Sequence, residues 1–385
     1  MKRKFIIGLI LGALLAGLPL AGFAQKRATK RKGVSKTKIV KAAPAVISEA
    51  KEPELPPVRI VPVSPEIIAA RSSLLEILPQ SDAVAFVDVK RILDEALPAI
   101  LASDPKRLAQ VNAQLERFKQ QTGLDPRQFE NVAVGLRITP NAGGFDAKPL
   151  VLARGAFKAG ALIAAGRFVA KARQEEYKSK QIFLFDIGDA LKDIPLLDKL
   201  GTDLAVTEIS ENTLALGDLA TVKEVLDANG DGPRVSRELV ALATRNPNAL
   251  LGLGANIPAG AIAKSFTLDV ESDEIGKTVN AIKQASATLT MMESGAELAL
   301  AARTEKEAEA KDLTDTLNAL KQFAGIAVGS LKTPAQQKLA ANALETLKVA
   351  QNGNETQVSL EIKRSDFPAL LKLFNKGIRK ICSEN

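Results

Sequence analysis

Four oxygen-bearing side chains within one short stretch have the spacing of a calcium-binding loop. They are Asp227, Asn229, Asp231 and Glu238, and Gly232 follows at the position of a sharp turn. Oxygen ligands at alternate positions converge on a hard cation, and the last glutamate completes the coordination shell with two oxygens. The sequence therefore predicts a weak calcium site here, of the kind that extracellular calcium can fill.

Two residues favour a plain helix–helix connection over a metal site. Pro233 restricts the backbone of the glycine before it, and Arg234 stands where EF-hand and dockerin-type loops carry an apolar side chain. The resemblance to those loops covers twelve positions, and the sequence contains no second loop of this kind. We prefer the helix–helix connection, and no other metal or cofactor is predicted.

The other residues with catalytic potential are few. The chain of 385 residues has no histidine, no tryptophan, one cysteine and one tyrosine. This composition excludes Ser-His-Asp and Cys-His nucleophiles and Cys- or His-rich zinc sites. Ser103 and Lys106 have the Ser-x-x-Lys spacing, but the partner motifs of Ser/Lys enzymes are absent. A hydrolase that uses carboxylates or Ser/Lys without histidine stays open as the alternative function.

The N-terminus has the layout of a secretory signal peptide over residues 1–24. Lys2, Arg3 and Lys4 precede an apolar run that reaches Phe23, and small residues follow. We expect cleavage and export to the periplasm, the cell envelope or the exterior, with no membrane span afterwards. An uncleaved N-terminal anchor is the alternative, because about 19 apolar residues can just cross a bilayer and basic residues behind them resist translocation.

Residues 25–65 have the composition of a disordered, basic and proline-rich tether. Residues 1–65 carry 13 Lys or Arg and 3 Asp or Glu, whereas the rest of the chain carries 39 and 41. The positive charge therefore belongs to the N-terminal segment, which can contact an anionic envelope surface. Nucleic-acid binding is not expected, because the folded body does not continue the basic patch.

Two stretches with the same order of elements organise the folded body. Leu347–Ile381 reads as a strand, a turn at Asn352-Gly353, a strand and a helix, and Asp203–Leu226 repeats that order. We predict an α+β fold of two related tandem units, residues 66–246 and 247–385. Each unit is a mostly antiparallel sheet with helices packed on one face.

Periodicity and turn residues predict the remaining elements. Helical segments are predicted at Ile67–Leu78, from Asp104-Pro105 to Gly123, and at Lys158–Arg173, Ile275–Ala285 and Thr304–Phe323. Strands are predicted at Ala83–Val89, Asn131–Ile138, Pro149–Phe157, Gln181–Phe185, Asn248–Ala255, Ala287–Met292 and Glu297–Ala302. The Ala- and Leu-rich stripes of the helices are interpreted as core faces.

Three short motifs resemble uncharacterised exported bacterial proteins of acidobacteria-like soil organisms. They are Ser81-Asp82-Ala83, the turn Thr122–Pro126 and Leu216-Gly217-Asp218. The resemblance covers most of residues 75–380 and implies no activity. The export signal, the tether and the missing catalytic residue types favour a non-catalytic exported envelope protein that binds or scaffolds an unknown protein or envelope component.

Overall fold

The fold was analysed in a computed structural model, which describes residues 63–141, 144–186, 203–258, 273–331 and 333–373. The predicted signal peptide and nearly all of the predicted tether lie outside these residues. So do Cys382 and the C-terminal part of the helix predicted before Ile381.

The described residues form twelve strands and eleven α-helical segments, of which ten are numbered and the eleventh covers residues 367–373. The helices are α1 Pro65–Glu76, α2 Val89–Arg91, α3 Leu97–Ile100, α4 Pro105–Thr122, α5 Ala159–Val169, α6 Leu219–Ala228, α7 Arg237–Ala243, α8 Asp273–Asn280, α9 Glu307–Val328 and α10 Pro334–Thr346. A π-helical turn, Ile92–Ala96, joins α2 to α3. The strands are β1 Ala83–Asp88, β2 Phe129–Asn141, β3 Gly144–Gly155, β4 Ala172–Tyr177, β5 Lys180–Asp186, β6 Asp203–Ser210, β7 Thr213–Gly217, β8 Leu251–Asn256, β9 Ile282–Met292, β10 Gly295–Thr304, β11 Lys348–Asn352 and β12 Glu355–Lys363.

All twelve strands belong to one sheet with the order β11-β12-β10-β9-β8-β1-β2-β3-β7-β6-β5-β4. Every neighbouring pair is antiparallel. The predicted α+β class with an antiparallel sheet is confirmed. Short hairpin connections, which cannot join parallel strands, account for the antiparallel direction of the pairs β2-β3, β4-β5, β6-β7, β9-β10 and β11-β12.

The strand order is symmetric about the β1–β8 pair, which we call the central seam. Outward from the seam, β1-β2-β3-β7-β6 on one side correspond to β8-β9-β10-β12-β11 on the other. The stretch Asp203–Leu226 contains β6 and β7, and the stretch Leu347–Ile381 contains β11 and β12. Counted outward from the seam, each of these hairpins supplies the fourth and fifth strands of its side. The first half adds β4 and β5 beyond this pattern.

Helices cover both faces of the sheet in the first half, whereas the sequence predicted cover on one face. Leu74 of α1, Val225 of α6 and Leu239 of α7 belong to one buried core. Ile163 of α5 belongs to another core, which also contains Val87 of β1. The reason lies in β1, where Ala83–Asp88 is buried at every position because its apolar run does not alternate with polar residues.

Charged side chains tie the two halves together beside the central seam. Asp88 ends β1, is 3% exposed and forms an ion pair with Arg71 of α1, which is 2% exposed. Arg71 also donates to the carbonyl of Pro247 at 2.8 Å, and Arg91 donates to that of Asn248 at 3.1 Å. The loop that leads into β8 is therefore anchored on helices of the first half.

Helix α7 also packs closely against β8 at the central seam. Gly252 of β8 faces α7 so closely that a Cβ there would lie 2.0 Å from the carbonyl oxygen of Ala243. Such a distance is far inside van der Waals contact, so only glycine allows this approach.

Several predicted boundaries are wrong for identifiable reasons. The residues between the predicted strands Asn131–Ile138 and Pro149–Phe157 are largely strand as well, because β2 and β3 pair as far as Asn141 and Gly144. The helix predicted to Arg173 ends at Val169, and β4 follows it. The helix predicted to Ala285 ends at Asn280, and β9 begins at Ile282. At the two helix ends, the hydrogen bonding of a neighbouring strand overrides the local helical pattern.

Candidate interaction surface

The four predicted calcium ligands lie on α6, on α7 and in the connection between them. Asp227 is in the last turn of α6, and its carboxylate accepts hydrogen bonds from the Tyr177 hydroxyl at 3.1 Å and the Lys178 ammonium at 2.5 Å. The bond from Lys178 holds the pKa of Asp227 below its ordinary value, and the Tyr177 hydroxyl adds to this shift. Asp227 is therefore already occupied by a cationic partner.

The other three residues do not converge with Asp227. Asn229 caps the C-terminus of α6, and Asp231 is exposed. Glu238 is in the first turn of α7 and pairs with Arg303 of β10 at 3.1 Å. Among the described residues, no group of three or more acidic or cysteine side chains is placed to hold a metal ion.

Arg234 fills the loop that the sequence pattern assigns to calcium. Its Nε donates to the carbonyl of Ala228 at 2.6 Å, and its Nη2 donates to that of Gly230 at 2.9 Å. A guanidinium thus bonds two backbone carbonyls of the connection and fixes its conformation. The calcium site stays a prediction, and this geometry favours the helix–helix connection.

Acidic residues in the Ser-x-x-Lys stretch and on β4 have structural partners. Asp104 of the Ser-x-x-Lys stretch caps α4 and accepts from the Arg107 amide at 3.0 Å. Glu175 lies on β4 and pairs with Lys223 at 2.5 Å.

A cleft of about 640 Å³ lies between the end of α4 and the start of α5. Its charged lining residues, Lys158 and Glu211, are 4.0 Å apart and about four-fifths exposed. Groups this well solvated lack the water-excluded surroundings in which charged side chains stabilise a transition state most strongly.

The largest exposed apolar side chains of the described residues lie on α9. Leu320 is 46% exposed, Phe323 is 68% exposed and Ile326 is 80% exposed. Their spacing of three residues places them along one side of the helix. Most exposed apolar residues in proteins are isolated, so a run of them indicates a surface that contacts something else.

The exposed stripe arises because α9 extends beyond its packing partners. Only Ala310, Leu313 and Thr314, near its start, are buried. The Thr314 hydroxyl lies 3.0 Å from that of Thr356 on β12. The 22 residues of α9 make a helix about 33 Å long, and every side chain from Gln322 to Ala327 is exposed.

α9 and α10 form a helical hairpin with defined internal bonds. Gln337 of α10 donates to the carbonyls of Gly329 at 3.3 Å and Leu331 at 3.0 Å, which closes the turn. Lys321 donates to the carbonyl of Leu347 at the end of α10. These bonds hold α9 in place although its apolar side is uncovered by the described residues.

The distal part of this hairpin, residues 316–344, also has one sign of charge. Its described residues include Lys321 and Lys338, and the sequence of residues 316–344 contains no Asp or Glu. We call this segment the hairpin tip. The preceding residues are acidic by contrast, with carboxylates at Glu305, Glu307, Glu309, Asp312 and Asp315.

No helix among the described residues is both long enough and apolar enough to cross a membrane. The hairpin tip is an apolar and basic surface element, because Phe323, Ile326 and Lys338 are exposed on it. The sequence did not predict this surface, because the Ala- and Leu-rich stripes of the helices are interpreted as core faces. The absence of acidic residues over 316–344 was the available signal.

Comparison with known proteins gives only distant structural likenesses. No protein-family profile matches the chain, and no curated protein matches it. Crystal form III of TP0453 is similar with a TM-score of 0.41 and 8% identity, over 77% of this chain and 96% of that one. Crystal form IV matches with a TM-score of 0.39 and 8% identity, over 79% and 98%.

Proposed function

We propose that this protein is a non-catalytic, exported component of the cell envelope. In this proposal the α+β body binds or scaffolds an envelope component, and the basic N-terminal segment tethers it to an anionic surface. The single observation that carries the proposal is the exposed apolar stripe Leu320, Phe323 and Ile326 on α9. A stripe of this kind is typical of a binding surface.

The chemistry of the chain supports the same proposal. Histidine is absent from the sequence, and two acids of the calcium-like pattern, Asp227 and Glu238, pair with Lys178 and Arg303. The hydrogen bond from Lys178 lowers the pKa of Asp227, whereas a general acid needs a raised pKa.

Two measurements test the proposed function. We expect the full chain, expressed in a bacterium with two membranes, to fractionate with the envelope, and a chain without residues 2–24 to stay in the cytosol. We expect the purified exported protein to show no turnover of ester, peptide and glycoside panels above the buffer rate. Turnover that disappears when one acidic residue or serine is replaced would establish the hydrolase alternative instead.

A further inference from the structure

The hairpin tip combines an apolar stripe with exclusively positive charge. Phe323 and Ile326 are the two most exposed large apolar side chains of the described residues. Lys338 on α10 is exposed as well. Helical segments with aromatic and aliphatic residues beside lysines are suited to the boundary between lipid headgroups and acyl chains.

A second copy of the chain fits this surface less well. Three or four partly exposed side chains offer a few hundred Å² of apolar area, whereas a stable interface buries about 800 Å² on each partner. Pairing two tips would also bring lysines together, because residues 316–344 contain no carboxylate to oppose them. An anionic bilayer supplies both an apolar layer and negative charge.

We propose that the hairpin tip lies on an anionic lipid surface. Phe323 and Ile326 enter the headgroup–acyl boundary, and Lys338 contacts lipid phosphates. The inference rests on the proposed function, because it names the envelope component that the body binds. The α9–α10 hairpin would then orient the body on the membrane while the N-terminal segment supplies a second basic contact.

The natural absence of tryptophan makes a direct test possible. The variant Phe323→Trp, in the full chain purified after export, places a single indole at the tip. We expect its emission to move to shorter wavelength with vesicles of equal parts phosphatidylglycerol and phosphatidylcholine. Bromine-labelled acyl chains should quench it. The control Gln110→Trp places the indole at an exposed position on α4, where we expect neither effect.

Charge and apolar contacts can then be separated. In the Phe323→Trp background, Lys338→Glu should weaken binding to the anionic vesicles roughly ten- to thirtyfold, because it reverses one charge at the surface. Ile326→Ser should weaken binding about tenfold through lost apolar burial. Both side chains are exposed, so circular dichroism should show an unchanged fold.

Three outcomes would overturn the inference. In the first, the protein sediments with vesicles but the emission of the indole at position 323 remains that of an indole in water. The N-terminal segment alone would then bind the vesicles. The second is binding unaffected by Lys338→Glu and Ile326→Ser. The third is a dimer in light scattering that Ile326→Ser dissociates, since a second copy would then cover the tip. None of these outcomes contradicts the proposed non-catalytic function, because that function is refuted only by enzymatic turnover or by failed export.

Discussion

The substitution Asp88→Asn tests whether the buried ion pair beside the central seam is needed for stability. Asp88 and Arg71 have side chains 4% and 2% exposed, so their charges are almost fully removed from water. Burial lowers the pKa of the Arg71 guanidinium, and the neighbouring Asp88 opposes that shift. Asparagine can still cap α2, where Asp88 accepts from the Arg91 amide at 3.0 Å. The substitution therefore isolates the loss of charge.

The expected cost follows from leaving Arg71 buried without a counter-charge. Breaking a buried pair by removing one partner costs about 3–5 kcal/mol of the free energy of unfolding. For a body of this size, each kcal/mol lowers the melting temperature by roughly 2 °C, which predicts a loss of about 6–10 °C. Differential scanning calorimetry measures it directly. The control Asp94→Asn removes the exposed pair with Lys90 and should change stability by less than about 1 kcal/mol.

A double-mutant cycle decides whether the cost comes from the pair itself. Arg71→Met combined with Asp88→Asn leaves neither charge buried. The double variant should therefore lose less free energy of unfolding than the two single variants lose in sum, by about 1–3 kcal/mol. Strictly additive losses, or an Asp88→Asn variant that melts like the control, would refute the reasoning.

Two further predictions concern ion pairs and the calcium-like loop. Burial alone would raise the pKa of Glu355, but hydrogen bonds from Arg245 and Gln357 outweigh it and hold the pKa below its ordinary value of 4.5. The stability that Glu355 supplies should be present above about pH 4.5 and be lost as the pH falls through its lower folded value. Glu355→Gln should therefore flatten the acid limb of a melting-temperature profile, and an unchanged limb would contradict this. If calcium binds the loop, millimolar calcium raises the melting temperature and Asp231→Ala abolishes the rise; because Arg234 holds the loop carbonyls, we expect no rise.

Much of the fold follows from local sequence signals. Asp104-Pro105 and Gly123 bound α4 as predicted, since a side-chain cap and a left-handed glycine are both local features. A tight turn joins β11 to β12 where a hairpin was predicted, but its two central residues are Gly353 and Asn354, one position later than Asn352-Gly353. Gly353 has a φ of +57°. Short-range chemistry of this kind requires no knowledge of distant residues.

The rest depends on partners that are remote in sequence. The pairing of β1 with β8 joins residues about 170 positions apart, and strand periodicity cannot select such a partner. The exposure of Phe323 has the same origin, because a helical stripe predicts an apolar side but not what covers it. Arg234 was recognised as a departure from the calcium pattern, whereas its contacts with the loop carbonyls required the structure.

The central seam also determines how the chain can be divided. Five residue pairs join β1 to β8 along their full apolar length. A half expressed alone would leave one of these strands as an open, unprotected edge, which is a template for intermolecular association. Proteolytic nicking between Thr244 and Leu250 should therefore leave the two fragments held together. The same fragments, synthesised separately, should aggregate unless they meet during folding.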